Sequence, residues 1–239
     1  MSGTAQHIRL QITPSEHVTA IVYPAVTKAL GISLVLAHGA GANQSNSFMV
    51  QFAQALAARG IEAITFNFLY TEAGRGIPDR NDKLEACYRR VIETFHQGLL
   101  TKNADKAKLV IGGKSMGGRI ASQVAAANSD GLAGLVLLGY PLHPPGRLDK
   151  LRTKHLPDIK VPMLIVQGAR DAFGTPEELR PVLKHLNAPA ELYVVEGGDH
   201  SFKVPKRGGI PQEAVYKAVL DEIEGWLGRR FAPSTQRRK

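Results

Sequence analysis

The sequence predicts an α/β protein built on a doubly wound, mostly parallel sheet with helices on both faces. Three observations carry that reading. Strand-length apolar runs alternate with longer stretches of helical spacing along nearly the whole chain. The central runs are continuously apolar, as strands covered on both faces must be. The residues with chemistry fall where these runs end, the edge at which such sheets bind ligands.

Taken in order, "HIRLQI" and "HVTAIVYP" alternate and read as an antiparallel pair at the N-terminal edge. "ISLVLAHG" is a continuous run for a central strand. "SFMVQFAQALAARG" has helical spacing and closes on a glycine cap. "EAITFNF" is the next strand and "DKLEACYRRVIETFHQGL" the next helix. "KLVIGG" leads through Ser115 into a helix containing "ASQVAAAN", and "AGLVLLGYP" follows. "PMLIVQGARD" precedes a helix that begins "TPEELRPVLKHL". "AELYVVEGGDH" is the last strand, and "PQEAVYKAVLDEIEGWLGRR" the closing helix. No internal repeat or low-complexity tract interrupts the alternation.

Composition bounds the rest. A chain of 239 residues with 44% hydrophobic side chains suits one domain over 1–230 with a sizeable core. The net charge of +9 is concentrated: five positive charges lie in the last eleven residues, leaving +4 for the body. The segment 231–239 is therefore read as a basic, flexible tail, and no nucleic-acid partner is expected. No run of eighteen apolar residues is long enough for a membrane span, and the N-terminus lacks the apolar core of a signal peptide. A single cysteine, Cys87, sits in a helical pattern and is read as a buried helix residue. Its solitude fits a reducing, cytoplasmic compartment.

The densest signal is "LVIGGKSMGGRIAS" at 109–122. Gly113 and Gly117 flank Ser115 at two residues on each side, within a strand–turn–helix context. A turn this tight brings backbones so close that a Cβ at either glycine clashes, and it holds the serine in a strained conformation with positive φ. The helix that follows aims its N-terminal N–H groups at developing negative charge. The Lys-Ser pair invites a phosphate-loop reading, but that motif needs glycine at 108, where the chain has Lys108.

Other candidates lie at neighbouring strand ends. Asp171 follows "LIVQGAR" and His200 follows "LYVVEGGD". Ser, then Asp, then His is the chain order of an α/β-hydrolase triad. Ser115 is the candidate nucleophile and His200 the general base, since an imidazole accepts a proton near neutral pH. Asp171 is the candidate orienting acid. Asp199 and Glu196 are rivals in sequence, but Asp199 is adjacent to His200 and poorly placed to aim back at its ring; it reads as a turn former. The oxyanion hole would use the N–H of Met116 and one from the loop after His38, with Ala40 first and Gly41 second. His38 itself reads as a hydrogen-bonding prop for that loop. His96, His155 and His185 receive no role.

These motifs resemble the α/β-hydrolase fold over nearly the full length. More narrowly, "HGAGA", "NFLYTEAGRGIPDR", "GGKSMGGRIAS" and "QGARDAFGTPEEL" resemble the KANL3/Tex30-like branch, related to dienelactone hydrolases. Dienelactone hydrolases proper carry cysteine at the nucleophile, where this chain has Ser115. The resemblance implies a serine hydrolase of carboxylesterase or thioesterase type. The branch also contains complex subunits, so a non-catalytic interaction module is the alternative; acyl chemistry other than ester hydrolysis is a third reading.

Two pocket residues and a lid complete the expectations. Tyr70 and Arg75, in the turn-rich stretch after a strand, are candidate wall residues. Arg75 either holds a substrate carboxylate or pairs with Glu72 or Asp79. Residues 141–160 are too few for a lid domain, which points to an open pocket and short acyl groups. No metal or organic cofactor is expected. The partner is a small acyl ester or thioester.

Overall fold

A computed structural model describes residues 4–101, 107–205 and 210–231. Eight strands form one sheet in the order β1-β2-β4-β3-β5-β6-β7-β8. β1 (Gln6–Gln11) and β2 (His17–Tyr23) pair antiparallel, and β2 runs antiparallel to β4 (Glu62–Phe66). Every other neighbour is parallel: β3 (Ile32–Ala37), β5 (Lys108–Lys114), β6 (Leu132–Leu138), β7 (Met163–Gly168) and β8 (Ala190–Val195). The order reverses between β4 and β3, as a doubly wound connection requires, and this puts the ends of β3 and β5 side by side.

Each strand feeds both cores because successive side chains point to opposite faces. In β3, Leu34 and Leu36 pack with α1 (Ser47–Ala58) and α6 (Gln212–Phe231), through Phe52, Leu56, Ile223 and Trp226. Val35 and Ala37 face the other layer, with α3 (Asn81–His96) and α4 (Met116–Ala127) contributing Tyr88, Val91, Ile120 and Val124. This two-sided burial explains why the central strands lack alternation. A short α2 (Leu69–Glu72) opens the stretch read as turn-rich. α5 (Pro176–Leu183) opens on a capping box in which Thr175 and Glu178 satisfy each other's backbone.

Cys87 is buried in α3, and burial pushes its thiol up to about 12. No helix among the described residues is long and apolar enough to cross a membrane. Residues 141–160 contain only a 3₁₀ turn, Leu156–Asp158. α6 continues to Phe231, one residue into the expected tail; 232–239 lie outside the described residues.

The parallel strands at the centre pack closest where glycine replaces a side chain. A Cβ at Gly112 would fall on the Val136 carbonyl, and one at Gly117 on Ala37 and the His38 carbonyl. Gly117→Ala is expected to cost about 3 kcal/mol, because both neighbours are backbone and cannot turn aside. Gly76, which has open space around it, serves as the control, and its alanine variant should stay within about 0.5 kcal/mol. Urea midpoints of the two variants measure the difference; equal midpoints contradict the packing argument.

Candidate active site

Ser115 stands between the end of β5 and the first turn of α4 with φ 52° and ψ −116°. Such a backbone is uncommon for a residue with a Cβ and costs of order 1–3 kcal/mol. Its N–H donates to the Leu138 carbonyl (2.9 Å), and its carbonyl accepts from Arg119 N–H (3.0 Å), the first bond of the helix. The turn is thereby pinned from both sides, and the side chain is half-exposed at the sheet edge.

The structure brings Ser115, His200 and Asp171 into one hydrogen-bonded chain. His200 Nδ1 lies 2.7 Å from Asp171 Oδ2, and Nε2 lies 2.8 Å from Ser115 Oγ. A carboxylate only accepts, so Nδ1 carries the proton and Nε2 offers its lone pair to the serine hydroxyl. The Asp171 side chain is wholly buried while His200 is 23% exposed, so the chain runs from the interior to the cavity. Asp171 is held on every side. Oδ2 also accepts from Gln167 Nε2 (2.9 Å), and Oδ1 accepts from Phe173 N–H (2.8 Å). Gln167 is itself fixed by Gly174 and Tyr140. The ring of Phe173 lies 4.3 Å from that of His200, backing the imidazole.

Asp199 does not reach the ring. Its Oδ1 accepts from Ser201 N–H (2.7 Å) and Lys203 N–H (2.9 Å), closing the turn that carries His200. His38 is fully buried; Nε2 accepts from Phe68 N–H (3.2 Å), so Nδ1 is left to donate to the Gly39 carbonyl (2.9 Å). That bond shapes the loop of which Gly39, Ala40 and Ala42 face the cavity. Gly41 (φ +69°) makes the bend and stands behind the wall. Among the described residues, the N–H groups of Met116 and Ala40 have no hydrogen-bond acceptor, and both residues line the cavity.

The cavity is open, about 650 Å³, and has Ser115 and His200 in its wall. Two expectations about that wall are corrected. Tyr70 is 1% exposed and sits beneath the loop, edge-on to His38, with its hydroxyl near the Gly41 backbone. An aromatic following β4 was drawn under the loop because α2 turns it inward. Arg75 points away and pairs with Asp79, four residues on, at 2.7 Å; Asp79 is the residue that reaches the wall. Sequence reasoning missed Lys114, Arg119, Arg152 and Phe173. Arg119 was readable, since it lies four positions after Ser115 on the same helical face. Arg152 arrives from a segment without periodicity and left no local signal. Among the described residues, no group of three or more His, Cys, Asp or Glu side chains is arranged to hold a metal.

Lys114 is 9% exposed, and its ammonium has no hydrogen-bond partner among the described residues. Burial pulls it down to about 8, against the upward pull of Asp171 and Asp199. The folded protein thus binds this proton less tightly than the unfolded chain does. The penalty is fully present below pH 8 and fades as pH rises toward the ordinary lysine value near 10.5. Lys114→Met is expected to raise stability at pH 7 by about 2–3 kcal/mol, with the gain shrinking between about pH 8 and 10.5. Denaturation midpoints across that range check both the sign and the window; a pH-independent gain contradicts the assignment.

Comparison with known proteins agrees with this architecture. The sequence model of the family described as "Alpha/beta hydrolase domain" matches residues 31–228. A dienelactone hydrolase from Anabaena variabilis superposes with TM-score 0.75 at 16% identity, over 96% of this chain and 99% of that one. A Xanthomonas campestris protein described as an α/β serine hydrolase without lid gives 0.73 at 20% identity, over 98% of each chain. An α/β serine hydrolase homologue from Coxiella burnetii gives 0.69 at 19% identity, over 97% of this chain and 99% of that one. With the family model matching most of its length, the chain belongs to the α/β-hydrolase domain family.

Proposed function

We propose that the chain is a serine hydrolase that cleaves small carboxylic esters or thioesters through an acyl-enzyme. The observation that carries this reading is the continuous hydrogen-bonded chain from buried Asp171 through His200 to Ser115 Oγ. His200 Nε2 takes the hydroxyl proton as Ser115 Oγ bonds to the carbonyl carbon, and Asp171 stabilises the imidazolium. The carbonyl oxygen becomes an oxyanion held by the N–H groups of Met116 and Ala40. The tetrahedral adduct collapses as the C–O or C–S bond breaks, and the leaving alcohol or thiol takes the proton from His200. Water repeats the sequence on the acyl-enzyme: His200 takes its proton, the acid leaves and Ser115 recovers its hydrogen.

The open cavity supports short acyl groups, and the likeness to a relative described as lacking a lid is in keeping with that. Within the family, we assign the chain to the KANL3/Tex30-like branch, which its sequence motifs resemble, with Ser115 in the nucleophile position. The partner is a small-molecule acyl substrate, handled in the cytoplasm without nucleic acid or membrane.

Kinetics of two carboxylate variants test the mechanism. Asp171→Asn is expected to lower kcat on a nitrophenyl ester by about 10³–10⁴, because the amide no longer holds His200 in the required tautomer. Asp199→Asn keeps an oxygen for its two turn N–H groups and should cost less than about tenfold. Nitrophenyl esters of about two to four acyl carbons should outrun long ones, since residues 141–160 cannot cover an extended chain. Equal losses in both variants contradict the assignment of the acid, and no turnover of any ester would leave the interaction-module reading in its place.

A further inference from the structure

The cavity that holds Ser115 is strongly cationic. Lys114, Arg119, Arg152 and Lys203 line it against one acid, Asp79, which is already paired with Arg75. None of these four cations makes an ion pair among the described residues, and Arg119 and Arg152 stand out as the two guanidiniums, whose planar fork suits a carboxylate. Arg119 donates from Nη1 to Gln123 Oε1 (3.0 Å) and from Nη2 to Asn81 Oδ1 (3.1 Å), both neutral amides. Arg152 donates from Nη1 to the Pro141 carbonyl (3.2 Å). A guanidinium has five N–H donors, so both keep donors to spare.

The two guanidiniums also repel each other. Burial and the Arg152 charge both pull Arg119 below the ordinary arginine value, and Glu85 and Tyr140 offset this only in part. The Arg119 charge also reaches His155, where burial and that charge hold the imidazole down to about 4 and therefore neutral. His155 thus adds no charge. Two like charges held on one wall without a carboxylate between them form an arrangement that an incoming anion relieves.

We propose that Arg119 and Arg152 form the subsite for a carboxylate carried by the substrate, so that the hydrolase acts on half-esters or half-thioesters of short dicarboxylic acids. This rests on the serine-hydrolase reading and narrows it. Geometry sets the chain length. Arg119 lies one helical turn beyond Ser115 on the same face, a rise of about 6 Å. A carboxylate there sits a few bonds from the carbonyl under attack, as in a succinyl or glutaryl group. The planar fork of a guanidinium suits a carboxylate, and Asn81 and Gln123 hold that of Arg119 in place before substrate arrives.

The test compares mononitrophenyl glutarate with nitrophenyl butyrate. Wild type should favour the anionic ester in kcat/KM, and Arg119→Gln or Arg152→Gln should reduce that preference by about 10–100-fold, mainly through KM. Because Arg119 also ties α3 to α4, Arg152→Gln and the measured Tm of each variant guard against a folding artefact. A second arm needs no turnover: glutarate should raise the Tm of wild type and of Ser115→Ala, but not of the Arg119→Gln/Arg152→Gln double variant. If no ester is cleaved yet glutarate still binds through the two arginines, the subsite stands and the catalytic reading falls. If esters are cleaved without preference for the anion and glutarate shifts no Tm, the subsite is overturned. Tighter binding of inorganic phosphate than of glutarate also overturns the carboxylate assignment.

Discussion

The structure depends on one close approach of backbones, where β5 turns into α4 at Ser115. Gly113 and Gly117 leave no side chain between this turn and the end of β3, so the strand and the helix start meet the Ala37 and His38 carbonyls directly. That contact makes the positive φ of Ser115 tolerable. The strain of about 1–3 kcal/mol is local, while the bonds to Leu138 and Arg119 and the packing of α4 against β3, β5 and β6 oppose its release. A serine in relaxed helical or extended backbone would turn its hydroxyl away from the cavity. The proposed nucleophile and the backbone strain therefore sit on the same residue.

Around that turn the fold separates polar duties by depth. Gln167 and the Phe173 N–H fix Asp171 in the interior, with its Oδ2 shared between Gln167 Nε2 and His200 Nδ1. Asp199, a residue of the same charge next to His200, is consumed by its own turn. His38 follows the same logic at the loop after β3. Both its ring nitrogens are spent on backbone groups, so it shapes the wall without entering the chemistry. Lys114, Arg119 and Arg152 then give the cavity its sign, with the acid Asp79 neutralised by Arg75 before it can oppose them.

Much of this was legible in the chain because it is local. The glycines around Ser115 announce a turn that no bulkier sequence accommodates, and the continuous apolar runs announce strands buried on two faces. Ser115, Asp171 and His200 share one edge because of the parallel topology, since each lies just beyond the end of its own strand. The wall of the cavity was less legible for a physical reason. Tyr70 sits under the loop because the four-residue α2 redirects the chain after β4, and a single helical turn leaves no periodic signature. Arg75 found Asp79 four residues along the irregular chain between α2 and α3 and was withdrawn from the site. Arg152 enters from an irregular segment whose position depends on long-range contacts with Tyr140 and Pro141. Helix and strand periodicity carry no information about such contacts.

The central claim is that strain, burial and the Asp171–His200 pair make one serine out of ten unlike the others. Intact-mass analysis and peptide mapping after exposure to a fluorophosphonate measure that directly. The account predicts a single adduct, mapped to Ser115, on the folded wild-type protein. It predicts none on Ser115→Ala, whose denaturation midpoint stays close to that of the wild type because only a half-exposed hydroxyl at the cavity is lost. A folded wild-type protein that takes up no probe, or an adduct on another serine that persists in Ser115→Ala, contradicts it.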